Sequence, residues 1–143
     1  MTIKKELYDK ALSHYETAIN SNPTNAMYHG NSGYIQALMN DWEKAANAFK
    51  QAIILDPSQG IYDHLLGQIY EREDKLLWAI PAYKSAQTKF KALQRRGKLT
   101  SDQRAYAAHI NRDLKRCEDK LPLVWWPMKN GRVHGMGAVS LYM

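Results

Sequence analysis

Residues able to do chemistry are few in this chain and lie far apart. Five histidines stand at 14, 29, 64, 109 and 134. No HxxxH or CxxC spacing occurs among them, so the close ligand pairs of a zinc-type site are missing. Glu71, Glu73 and Asp74 form a carboxylate cluster, but Arg72 and Lys75 interleave with them. Exposed carboxylates in that setting are expected to keep ordinary pKa values rather than act as an acid–base pair. Cys117 is the single cysteine, and its basic neighbours favour a thiolate, yet no partner base stands near it in sequence. Gly135-Met136-Gly137 offers two glycines of a phosphate-binding loop. The third would fall at Ser140, and no strand–turn–helix context surrounds it. The expectation is no catalytic residue, no metal, no cofactor and no enzyme.

Charge is the next candidate. The chain has 143 residues and a net charge of +6. Residues 89–116 hold nine cations, Arg95, Arg96, Lys98, Arg104, Arg112, Lys115 and Arg116 among them, against Asp102 and Asp113 alone. Such a cluster attracts phosphate, an acidic protein or an anionic lipid surface, or is simply a solvated helix end. Base stacking on nucleic acid needs aromatics between the charges, and only Phe90 and Tyr106 lie there.

The elements that must position these groups emerge from a 34-residue period. Tyr8, Trp42 and Leu76 align, and Ala11, Ala45 and Ala79 follow three residues later. Tyr15, Phe49 and Tyr83 come next, then Ala18, Ala52 and Ala86. Within one unit the spacing is 3, 4 and 3, which places the four positions on one helical stripe. The alanines let a neighbouring helix approach, and the aromatic fills the space they leave. Gly33 and Gly67 align in the preceding helix, where a side chain would meet the partner helix. Pro23 and Pro57 end helices, because the residue before proline is pushed out of the helical region. Asn40-Asp41 reads as the turn between two helices, with Asp41 as the next cap.

With Gly33, Asn40-Asp41-Trp42, Ala45, Phe49, Ala52 and Asp56-Pro57, residues 26–59 resemble a tetratricopeptide repeat. The following unit keeps Leu66-Gly67, Tyr70, Ala79, Tyr83 and Ala86, with Lys91 where the closing proline belongs, so its second helix is expected to run on toward Arg96. The resemblance implies an all-α, right-handed α-solenoid of short helical hairpins: a half repeat over 1–25 and repeats over 26–59 and 60–96. It also implies a concave groove lined by Met27, Gly30, Tyr34, Ala37 and Leu38, then by Ile61, His64, Gln68, Glu71 and Arg72. The family's grip on a C-terminal carboxylate uses basic and amide residues at fixed groove positions. Here only Asn31 matches, and Ile61 and Leu65 stand where a basic pair belongs. An apolar helix or extended segment suits that line better.

After Gly97, Thr100-Ser101-Asp102-Gln103 reads as a capping box. It opens a capping helix within 97–120, with Tyr106, Ala107, Ile110 and Leu114 inward and Arg104, Arg112, Lys115 and Arg116 outward. Residues 121–143 break the helical pattern and are apolar, with Trp125 and Trp126 as anchors. Three placements fit this extended tail: on its own array, in a partner, or with the indoles in a membrane interface. The longest apolar stretch, 121–128, is too short to span a bilayer.

These readings converge on a non-enzymatic protein-interaction module, a scaffold or assembly subunit of a larger complex. With one cysteine and no apolar leader, the expected compartment is the cytoplasm. The alternative is a nucleic-acid- or ribosome-associated protein working through residues 89–116.

Overall fold

In the computed structural model, residues 2–121 are described, and the expected tail beyond Leu121, with Trp125 and Trp126, lies outside them. Six helices follow one another: α1 (Ile3–Ser21), α2 (Ala26–Leu38), α3 (Trp42–Leu55), α4 (Gly60–Arg72), α5 (Leu76–Arg95) and α6 (Ser101–Asp119). No strand occurs among the described residues. Each helix packs on its neighbour in sequence, and α2 also touches α4, so the chain stacks as an array of hairpins.

Local signals account for most helix ends. The Thr2 hydroxyl accepts from the Lys5 N–H to cap α1, and the Asn25 side chain accepts from the Tyr28 N–H to cap α2. Thr100 and Gln103 form a reciprocal capping box at α6. Asp41 departs from expectation: it precedes α3 but makes no side-chain cap, and its carboxylate lies 3.7 Å from Lys44 Nζ instead.

Three turns share one device. Asn40, Asp74 and Gly97 adopt left-handed backbone, with φ near +60° in each. The next N–H then reaches back five residues, from Asp41 to Gln36, Lys75 to Tyr70 and Lys98 to Leu93. This closes the carbonyls at the helix end and reverses the chain.

The repeat columns become the core. Ala45, Phe49, Ala52, Ala79, Tyr83 and Ala86 are all buried. Gly33 and Gly67 sit where the sequence demanded close approach. A Cβ on Gly67 would lie 2.6 Å from the Tyr83 ring, and one on Gly33 would lie 3.1 Å from Phe49. The interior of α6 differs slightly from the expected stripe. Ile110 and Leu114 are buried as expected, and Cys117 joins them.

Candidate functional site

Helices α2 and α4 present equivalent positions to one groove. Met27, Tyr34 and Leu38 are about half exposed on α2, and Ile61 on α4 is exposed to 38%. Gln68 and Arg72, also exposed, stand one repeat after Tyr34 and Leu38. Between the helices lies a cleft of 230 Å³, lined by Tyr34, Ala37, Leu38 and Trp42 on one side and by Gln68, Ile69 and Arg72 on the other. A second cleft, of 350 Å³, is lined by Gln68, Glu71, Arg72, Arg116 and Lys120. Gln68 and Arg72 line both, so the two form one path from α2 across α4 to the end of α6.

His64 does not face this groove. It is 2% exposed, because α6 covers it. Its Nε2 lies 2.6 Å from Asp113 Oδ2, and its Nδ1 lies 2.6 Å from the Tyr106 hydroxyl. A carboxylate can only accept, so Nε2 carries the proton and Nδ1 accepts from Tyr106. Burial pulls the imidazole pKa below 6.5, against the opposing pull of Asp113, and the ring is held neutral. The residue expected to meet a partner instead anchors the capping helix.

Glu71 also corrects the sequence reading. Arg116 donates to it through Nε at 2.7 Å and Nη2 at 2.8 Å, and the Tyr83 hydroxyl donates at 2.8 Å. The Arg116 guanidinium, helped by Tyr83, holds the carboxyl at about 2 against the effect of burial. Cys117 is corrected in the other direction. It is fully buried, and desolvation followed by the Glu71 charge pushes the thiol up to about 12 despite Arg116.

The basic segment does not gather into one free array. Arg116 is spent on Glu71 and on Asp113, Lys89 lies 2.6 Å from the buried Asp63, and Lys115 pairs with Asp119. Arg104 donates to the Leu99 carbonyl, and Arg112 lies against His109. Arg95, Arg96 and Lys98 are exposed where α5 ends.

Sequence reasoning missed Trp42 and Lys120 as groove residues. Trp42 follows the left-handed Asn40 turn, and its ring lies 5.8 Å below the Arg72 guanidinium. Lys120 stands four residues after Arg116, a helical neighbour spacing that was legible. A larger cleft of 490 Å³ lies elsewhere, between α3 and the start of α5, lined by Glu43, Lys50, Tyr70, Glu73, Lys75 and Trp78. Its charges are balanced. No group of His, Cys, Asp and Glu suited to a metal, and no helix long and apolar enough to cross a membrane, occurs among the described residues.

Comparison with known proteins agrees with this fold. The chain is similar in fold to PcrH, solved in complex with the chaperone-binding region of PopD, with a TM-score of 0.72, 15% identity, and coverage of 81% of this chain and 82% of that one. It is similar to the Yersinia enterocolitica type III secretion chaperone SycD in complex with a YopD peptide (TM-score 0.71, 10% identity, coverage 81% and 83%). It also resembles the Sgt2 TPR domain from Aspergillus fumigatus (TM-score 0.64, 23% identity, coverage 81% and 69%). No curated protein matches the sequence significantly. The family model described as tetratricopeptide repeat matches residues 3–59 and 39–93, the same helices whose alanine and aromatic columns form the core, and the chain belongs to that family.

Proposed function

We propose that the groove across α2, α4 and α6 holds an apolar helix or extended segment of another protein, and that the chain works as a non-enzymatic scaffold or assembly subunit. The observation that carries this reading is the exposed line of Met27, Tyr34 and Leu38, continued by Ile61. Large apolar side chains at recurring helical positions leave surface that a partner segment covers favourably. Two proteins of similar fold, PcrH and SycD, were solved with segments of PopD and YopD, which supports a segment as the ligand. The cytoplasm is the proposed compartment, in keeping with a lone, buried cysteine.

The test is a pull-down from native extract with the full chain and with a Tyr34→Ala/Leu38→Ala variant. The double substitution is expected to weaken the principal partner about tenfold or more, which is about 1.4 kcal/mol. Binding that survives it but collapses when Arg95, Arg96 and Lys98 become Glu favours the nucleic-acid alternative. In the groove reading, nucleic acid binds only weakly, without sequence preference and with a steep loss as salt rises.

A further inference from the structure

We propose that the groove's partner segment carries acidic side chains beside its apolar anchors, and that Arg72 and Lys120 receive them at the α6 end. The inference rests on the groove reading and adds the chemistry and the polarity of the ligand. The two halves of the path differ. On the α2 side the lining is Tyr34, Ala37, Leu38 and Trp42, with no charged side chain until Arg72. On the α6 side it is Gln68, Arg72, Arg116 and Lys120 around one carboxylate, Glu71.

That carboxylate is already satisfied. Arg116 holds both its oxygens, Tyr83 adds a third donor, and Arg116 also reaches Asp113 at 2.8 Å. Lys120 pairs with Glu71 at 3.6 Å, an ion pair longer than a hydrogen bond, so its ammonium protons are not taken up by that carboxylate. Among the described residues Arg72 meets no carboxylate within ion-pair distance, and its guanidinium rests over Trp42. Arg72 and Lys120 therefore keep hydrogen-bonding capacity that a ligand can fill, and charge complementarity asks for carboxylates. Because Arg72 lines both clefts, a segment whose apolar side chains enter the first meets this cation as it leaves.

This is not a terminal-carboxylate grip, since Ile61 and Leu65 occupy the positions that would supply it. Residues 122–143 carry Lys129 and Arg132 and no acidic side chain, the wrong sign for this end of the groove. An acidic, apolar segment of a separate protein is the occupant the charges favour.

The experiment selects peptides of about twelve residues from a random display library on the full chain, in parallel with the Tyr34→Ala/Leu38→Ala variant. Peptides lost on that variant are expected to place acidic residues to one side of their apolar anchors. One such peptide is then synthesised with its acids intact and with each acid replaced by its amide. Replacement is expected to weaken binding about tenfold on the native chain and far less on an Arg72→Gln/Lys120→Gln variant. Circular dichroism matching the native chain establishes that each variant is folded. If the peptides depend on Tyr34 and Leu38 but are acid-free, or lose nothing on neutralisation, this inference falls and the groove reading stands. If no peptide depends on Tyr34 and Leu38, the groove reading falls and takes this inference with it. Displacement of the selected peptide by a uridine oligonucleotide, abolished in Arg72→Gln/Lys120→Gln, assigns the cations to nucleic acid and also overturns it.

Discussion

Helices α1 and α5 hold the same place in the repeat and carry nearly the same stripe. Tyr8, Ala11, Tyr15 and Ala18 of the first match Leu76, Ala79, Tyr83 and Ala86 of the second. In α5 the last three are 0% exposed, whereas α1 buries no residue. The difference is the number of neighbours. Helix α5 is held between α4 and α6, while among the described residues α1 packs chiefly on α2. A repeat stripe is thus a capacity for burial, and the adjoining helices decide how much of it is realised. The α6 end adds polar closure, through His64 with Asp113 and Tyr106 and through Glu71 with Arg116, which the α1 end lacks among the described residues.

The sharpest way to break this comparison is to remove the same aromatic from both helices. Tyr83→Ala empties a fully buried site and is expected to cost about 3–5 kcal/mol. Tyr15→Ala, in the half-buried equivalent, is expected to cost less than half of that. Urea unfolding of the two variants measures both, and equal losses would show that α1 is as well held as α5.

Acid should sharpen the comparison by loosening the α6 end first. His64 is held neutral with its pKa below 6.5, so release of the ring lets it take up a proton, and stability falls as pH drops below 6.5. Glu71, held at about 2 against an ordinary 4.5, adds stability that is present above pH 4.5 and is lost as pH falls toward 2. Hydrogen exchange is expected to show α6 amides losing protection between about pH 7 and 5, after correction for intrinsic rates, while α1 hardly changes. The early loss should disappear in His64→Gln. Protection of α6 that stays constant across that range would contradict the neutral-histidine anchor.

The smallest effects test the turns. Asp74→Gly relieves a left-handed aspartate and is expected to add about 0.5 kcal/mol. Gly97→Ala has room for its methyl group, since nothing lies within 4 Å, but not the backbone freedom. It is expected to cost about 1 kcal/mol, read as a shift in the urea midpoint. Opposite signs at two turns of the same shape isolate backbone strain from packing.

The sequence by itself determined the array. Small residues at 45, 52, 79 and 86, aromatics between them, and glycines at 33 and 67 permit close helix packing in one register, because a larger side chain at those positions has nowhere to go. The capping box at Thr100 was equally legible, since its bonds lie within four residues. Tertiary structure alone decided the fate of the polar groups. The resemblance implied that His64 faces the groove, and the sequence neighbours of Cys117 and Glu71 suggested a thiolate and an ordinary carboxylate. Their partners lie in other helices: Asp113 is 49 residues from His64, and Arg116 is 45 from Glu71. Helix periodicity reports which face turns inward. It does not report which distant charge waits there, and that pairing sets both the buried anchor of α6 and the cations left for the groove.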